Sequence, residues 1–261
     1  MSLYVRQSGS TTAPTIVFLH GSGVSGWMWN EQIKVLQNDY QCLAIDLPGS
    51  GESYQTEWIS LADTADQIAA IIRQSTANGK AHVVGLSLGG YTGLCLLEKY
   101  PTVVESLIVS GVSTRPFANL RRWQITLGIM QRLMKWDVFI NMQAKMLHIP
   151  AEAADLYKRD NKRMSNESFN RMFNEVLRFG LPNFKDEQTI PLLAVAGDSE
   201  NAMIKEGLKD FINHKQNTTA ALVPNAHHGW NGEHPQLFTA MVEAWINGKP
   251  LPADLVLVKA I

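Results

Sequence analysis

The sequence predicts an α/β fold: a mostly parallel central sheet covered by helices on both faces and interrupted by one helical insertion. Three observations predict it. Short continuous apolar runs alternate with helical periodicity up to residue 111, as parallel strands buried on both faces require. From Arg115 to Lys185 no strand pattern is present, and beyond it the strand pattern returns. Charge divides the same way: residues 115–185 hold 13 Lys/Arg against 6 Asp/Glu, and the rest of the chain holds 10 against 18.

Composition bounds the classes that remain. The chain has 261 residues, 45% apolar and 18% charged, with a formal net charge of −1. That charged share is below the roughly one quarter of an average globular domain, so a large core is possible and disorder is excluded. The length suits one large domain or one domain carrying an insertion. A pI near 6.7 argues against a nucleic-acid partner. No apolar run approaches the roughly 18 residues of a membrane span, and Met1–Ser10 lacks the apolar stretch of a signal peptide. Cys42 and Cys95 lie in apolar runs and give neither a disulfide framework nor a metal spacing. A cytoplasmic protein with buried thiols and no membrane partner is expected.

The elements follow in order. Thr15–Leu19, Cys42–Ile45, His82–Val84 and Leu107–Val109 read as strands, with helices over Trp27–Asn38, Ile59–Ala77 and Ser87–Tyr100 between them. Ala65, Ile68, Ala69 and Ile72 form the i, i+3, i+4, i+7 stripe of an amphipathic helix. In the insertion, Leu120, Trp123, Leu127, Met130 and Met134 fall at helical spacing, and so do Phe169, Met172, Phe173, Val176 and Leu177. Ser165 or Asn166 is the N-cap of the latter helix and Gly180-Leu181-Pro182 its stop. The former is apolar also at Ile125, Ile129 and Leu133, so a second face is expected to meet either core and cavity or ordinary two-sided burial. Leu192–Ala196 and Ala220–Val223 are the returning strands, followed by a helix over His234–Asn247.

The sharpest motif is Gly85-Leu86-Ser87-Leu88-Gly89, a G-x-S-x-G that leaves a strand and opens a helix. A serine on so tight a turn is strained, and the residues two positions away must lack Cβ to avoid collision. Its hydroxyl then stands at the carboxyl edge of the sheet beside a helix N-terminus, which favours a developing oxyanion.

With this elbow the chain resembles the α/β-hydrolase superfamily, in the serine branch whose helical cap follows strand six. The likeness covers nearly the whole length and rests on three further motifs. Leu19-His20-Gly21-Ser22 resembles the oxyanion loop; Asp46-Leu47-Pro48-Gly49-Ser50-Gly51-Glu52-Ser53 resembles the D-x-P-G-x-G-x-S turn; Val223-Pro224-Asn225-Ala226-His227-His228 with Glu233-His234-Pro235 resembles the loop bearing the catalytic histidine. The resemblance implies Ser87 as nucleophile, His228 as base with His227 in the spacer, and the backbone N–H groups of Ser22 and Leu88 as oxyanion donors. It gives His20 a structural role in the loop. His82, His148, His214 and His234 have no such context and are expected in core or surface roles.

The resemblance implies an acid after the strand at Leu192–Ala196, where Gly197-Asp198-Ser199-Glu200 is similar to the family's G-x-x-D. Glu200 occupies the matching position, a departure from the usual Asp, and Asp198 is the competing candidate. The alternative site after the preceding strand, Ser110-Gly111-Val112-Ser113-Thr114, contains no carboxylate. A second departure is the short segment before the first apolar strand, which leaves no room for the usual opening pair of strands.

These likenesses imply a core over 1–114 and 186–261 and a cap over 115–185, with Trp123, Met130 and Phe169 as candidates to line the pocket. They imply a serine hydrolase of small or medium acyl substrates that needs no cofactor and no metal. Serine at position 87 argues against an epoxide hydrolase or a haloalkane dehalogenase, which would carry Asp there. A hydroxynitrile-lyase-like lyase and a ligand-binding protein on the same scaffold remain alternatives, and oligomeric state is not legible. The positive balance of the cap is expected either to dock it on the negative core or, through Arg121 or Arg122, to attract an anionic substrate.

Overall fold

The computed structural model describes residues 2–147, 149–184 and 189–259. The expected cap boundary at Lys185 and the histidine at 148 lie outside the described residues. The strands are β1 (Val5–Ser8), β2 (Thr15–Leu19), β3 (Gln41–Ile45), β4 (Ala81–Leu86), β5 (Val104–Ser110), β6 (Leu192–Gly197), β7 (Thr218–Val223) and β8 (Val256–Leu257). They form one sheet in the order β1-β3-β2-β4-β5-β6-β7-β8. β1 and β8 pair antiparallel at the two edges, and the six strands between them are parallel.

The continuous apolar runs are explained by burial on both faces. Along β2, Val17 and Leu19 join the cluster under α2 (Leu61–Ser75), α3 (Leu88–Lys99) and α8 (Ala202–His214). Their neighbours Ile16 and Phe18 point the other way, into the cluster under α1 (Asn30–Leu36), α9 (Trp230–Glu233) and α10 (Pro235–Ile246). Period-two alternation therefore serves two cores at once. The second is filled by aromatics: Trp29 packs 5.4 Å from Phe18 and from Phe238, and Trp230 packs 4.5 Å from Phe238. Cys42 is buried and its thiol is pushed up to about 12, while partial burial pushes Cys95 to about 11; both are free.

Between β5 and β6 lie α4 (Leu120–Leu133), α5 (Asp137–Met146), α6 (Ala154–Arg163) and α7 (Asn166–Arg178). Ser165 caps α7, its hydroxyl accepting from Ser168 N–H, and the helix ends at Arg178, just before Gly180. Counted in this chain the segment follows β5 rather than a sixth strand, since among the described residues one strand, β1, precedes β2. α8 and β8 lie outside what the pattern of the sequence predicted. β8 is two exposed residues held by register with β7, which no periodicity can signal.

One expectation is overturned. The second apolar face of α4 meets neither core nor cavity: Ile125 is 59% and Ile129 55% exposed, and none of the helix's 14 residues is buried. α7 and the core beneath it reach α4 from one side only, through residues such as Leu127 and Met130.

The helical segment is tied to the core by ion pairs and hydrogen bonds. At its entry Arg115 donates to both Asp210 oxygens at 2.7 and 2.9 Å, and Thr114 Oγ1 donates to Asp210 Oδ2 at 2.5 Å. Burial alone would raise the Asp210 carboxyl. The hydrogen bonds and the Arg115 charge outweigh it and hold the carboxyl below its ordinary value. A depressed folded-state value means stability present above the unfolded pKa and lost as pH falls through the folded one. Asp210→Asn is therefore expected to lower Tm at pH 7, with the gap to wild type narrowing as pH drops below the ordinary carboxylate range; a gap independent of pH in thermal melts would contradict this.

Candidate active site

β4 delivers the chain to Ser87 at the carboxyl edge of the sheet, and α3 begins at the next residue. Ser87 has φ 52° and ψ −115°, a conformation that costs a non-glycine residue on the order of 1–3 kcal/mol. It is held there by Ser87 N–H donating to Ser110 O at 2.8 Å and by Ser87 O accepting from Tyr91 N–H at 3.0 Å. The flanking glycines are demanded by close approach. A Cβ on Gly85 would lie 2.3 Å from Gly89 O, and one on Gly89 would lie 2.0 Å from Leu19 O. Leu88 is buried and opens α3, so its N–H is the first of that helix; it is not among the cavity walls.

Beside Ser87 stands the loop His20–Gly23. A Cβ on Gly21 would lie 3.7 Å from Ser87 Cβ, and Ser22 lines the same cavity as Ser87. His20 is fully buried: Nδ1 lies 2.7 Å from Gly21 O, and Nε2 accepts from Leu47 N–H at 2.9 Å. Burial pushes this imidazole below its ordinary value despite the Asp46 carboxylate nearby. A neutral ring with Nδ1–H donating and Nε2 accepting satisfies both contacts, so His20 braces two loops. Asp46 does the same, accepting from Gly26 N–H at 2.7 Å and from Glu52 N–H at 2.8 Å.

On the far side of Ser87 the loops after β6 and β7 bring Glu200 and His228 together. His228 Nδ1 lies 2.7 Å from Glu200 Oε2, and Glu200 Oε1 accepts from Gly197 N–H at 3.2 Å. The Glu200 side chain is 2% exposed and that of His228 40% exposed, so the acid is buried and the ring faces the cavity. Asp198 points elsewhere: the backbone N–H groups of Asn225 and Ala226 and the Ser199 hydroxyl hold its carboxyl below the usual range. His227 is the more exposed ring and pairs with Glu233, Nδ1 to Oε2 at 3.3 Å. His82, His214 and His234 make contacts with Ser106 Oγ, Asp210 O and Asn225 O respectively.

Ser87, His228, Glu200 and Ser22 open on one cavity of about 960 Å³, which Trp123, Met130 and Phe169 also line. Six methionines, Met28, Met130, Met134, Met146, Met164 and Met172, make its walls soft and apolar. Among the described residues no Lys or Arg lines it, whereas the carboxylates Glu31, Glu152 and Glu233 do. Arg121 and Arg122, the candidates to draw an anion into the cleft, are exposed on α4 and are not among the described residues that line the cavity. Among the described residues no group of three or more His, Cys, Asp or Glu could hold a metal ion.

Three contributors escaped sequence reasoning. Gly111 follows β5 with φ 68°, and a Cβ there would lie 2.6 Å from His228 Cε1. Its signal was present, a glycine at the end of a strand, but it reads as an ordinary turn. Asn161 on α6 donates through Nδ2 to Gly23 O at 2.8 Å and to Tyr157 O at 2.7 Å, and its neighbour Asp160 accepts from Trp27 Nε1 at 2.8 Å. These two residues of the helical segment grip the loop that carries Ser22, and no local pattern announces contacts more than 130 residues apart.

The arrangement has relatives. The pimeloyl-(acyl-carrier protein) methyl ester esterase of Aeromonas hydrophila is 25% identical over 269 residues, covering 94% of this chain and 100% of that protein. Two solved structures share the fold. A thermophilic esterase from Thermogutta terrifontis gives a TM-score of 0.77 at 19% identity, covering 94% of this chain and 93% of that one. The enol-lactonase from Burkholderia xenovorans gives 0.76 at 17% identity, covering 94% and 96%. Relatives named as esterases and hydrolases support a hydrolase. The chain matches the alpha/beta hydrolase fold family over residues 14–210, and with its eight-stranded sheet and the elbow at Ser87 it belongs to that family.

Proposed function

We propose that this protein is a serine hydrolase that cleaves a carboxylic ester or a related acyl bond of a neutral, apolar small molecule. The observation that carries the reading is the meeting of the strained Ser87 and the 2.7 Å His228–Glu200 pair in one apolar cavity. His228 takes the Ser87 proton as Oγ attacks the carbonyl carbon, and Glu200 holds the ring by Nδ1 and stabilises the imidazolium. The N–H groups of Ser22 and Leu88 receive the oxyanion, each worth a factor of roughly 10²–10³. The alcohol leaves with the proton from His228, and water activated by the same ring releases the acid and restores Ser87. The helices between β5 and β6 act as the cap that keeps water from the acyl group.

A panel of p-nitrophenyl esters differing in acyl length and charge tests the function. Neutral acyl esters are expected to exceed carboxylate-bearing ones in kcat/KM by roughly tenfold or more, because an anion here meets carboxylates and, among the described residues of the walls, no Lys or Arg. Failure to turn over any ester, with the protein folded, would favour the lyase or binding alternatives.

Ser87→Ala is expected to fold and lose about 10⁴–10⁶ in kcat. His228→Ala is expected to be similarly inactive, and His227→Ala to keep most activity; steady-state kinetics showing the reverse would move the base by one residue.

Glu200→Gln is expected to keep the fold and lose roughly 10²–10⁴ in kcat, since an amide cannot stabilise the imidazolium. Asp198→Asn is expected to lower Tm more than rate. Near-normal kcat in Glu200→Gln beside collapse in Asp198→Asn would transfer the acid role. Gly111→Ala forces a Cβ onto His228 and is expected to cost about 10² in kcat through displacement of the ring; unchanged kinetics would show that the ring does not depend on that contact.

A further inference from the structure

The outer faces of α4 and α5 are the feature that the site does not use. Along α4, Arg122, Ile125, Ile129 and Arg132 follow one another at helical spacing, apolar side chains between basic ones, and Trp136 stands beyond the helix at the N-cap of α5. Along α5, Val138 and Met142 continue the pattern one turn apart. These side chains are in water: Trp136 is 65%, Val138 82% and Met142 58% exposed. Large apolar residues left exposed at successive turns of a helix mark a surface that meets something.

Charge says what it meets. Residues 120–147 carry five Lys/Arg and one acid, Asp137. Lys158 and Lys162 already pair with Asp137. Among the described residues, Arg121, Arg122, Arg132, Lys135 and Lys145 make no ion pair. Outside the 115–185 segment the chain carries 10 Lys/Arg against 18 Asp/Glu, so a negative surface would attract this face and repel the remainder. A second copy of the chain would bring positive face against positive face. Tryptophan and aliphatic side chains interleaved with Arg and Lys on one helix face are what an anionic lipid interface takes up.

The same surface leads to the cavity. Trp123 on α4, and Met146 and Leu147 at the end of α5, are 42%, 69% and 41% exposed and also line the cavity walls. An apolar molecule dissolved in the lipid surface would meet an apolar path inward.

We propose that the outer face of α4 and α5 docks on an anionic lipid surface. Among the described residues no helix is long and apolar enough to cross a membrane, and the proposed contact is with the lipid surface. The expectation of no membrane partner rested on the absence of a spanning run, and the proposal goes beyond it. The docking stands apart from the chemistry at Ser87.

Co-sedimentation with vesicles of phosphatidylcholine, alone or mixed with phosphatidylglycerol, tests it. The wild-type protein is expected to sediment with the mixed vesicles and not with phosphatidylcholine alone, and to be released at roughly 1 M salt, where charges are screened beyond about 3 Å. Two variants separate the contributions: Ile125→Ser with Ile129→Ser, and Arg122→Glu with Arg132→Glu. Each is expected to weaken binding by at least roughly tenfold, with Tm and turnover of a soluble ester unchanged, since none of the four residues lines the cavity. No binding to mixed vesicles overturns the proposal, as does equal binding to both kinds of vesicle or equal binding by the variants. A dimer in solution that these substitutions dissolve would overturn it too, by assigning the face to a second copy.

Discussion

Everything in this site hangs on the turn at Ser87, where a parallel strand must become a helix within one residue. The turn closes only because Gly85 and Gly89 lack side chains, and Gly89 lies so near Leu19 that α3 rests on the backbone of β2. The strain at Ser87 is offset by hydrogen bonds to Ser110 and Tyr91 and by burial of α3 against β4 and β5. The result is a hydroxyl raised above the sheet edge, beside a loop from β2 and opposite a pair of loops from β6 and β7. Each of those loops ends a strand of the same sheet, so their relative positions are set by strand register rather than by the loops themselves.

The region around the turn is braced by polar groups that have lost their solvent. His20, Asp46 and Glu200 are all buried, and each spends its hydrogen bonds on backbone groups of neighbouring loops or on His228. A buried polar group without partners costs about 1–3 kcal/mol, so these residues can sit where they do only when the loops are in place. The helical segment joins this bracing. Asp160 and Asn161 reach the loop after β2, Arg159 pairs with Glu52 at 3.0 Å, and Ser165 and Ser168 donate to Glu57. A segment attached so firmly at α6 and α7 leaves α4 and α5 as its outer part, and there the apolar side chains face water.

The fold was legible in the sequence because parallel strands buried on both faces must be apolar throughout, and helices beside them must carry a stripe. Thr15–Leu19 coincides with β2, and Asn166–Arg178 starts at the cap that Ser165 supplies. The sterics of a tight strand-to-helix turn likewise singled out the serine, and resemblance to the family's motifs named the candidate bases and the candidate acids. Periodicity failed where it was ambiguous in principle. Ile125 and Ile129 show that a helix has a second apolar face but not what lies against it, and here that is solvent.

By itself, then, the sequence determined the element types, their order and the short motifs, since these depend on local sterics and on patterns within a few residues. Only the tertiary structure decided which of two carboxylates meets the imidazole. Asp198 and Glu200 are two residues apart, yet one turns to the amides of Asn225 and Ala226 and the other reaches His228 Nδ1. It also decided the need for glycine at 111, the grip of Asn161 on Gly23 and the exposure of α4. Such contacts join residues far apart in the chain, and their geometry is fixed by the packing of whole strands and helices, which no local pattern of side chains encodes.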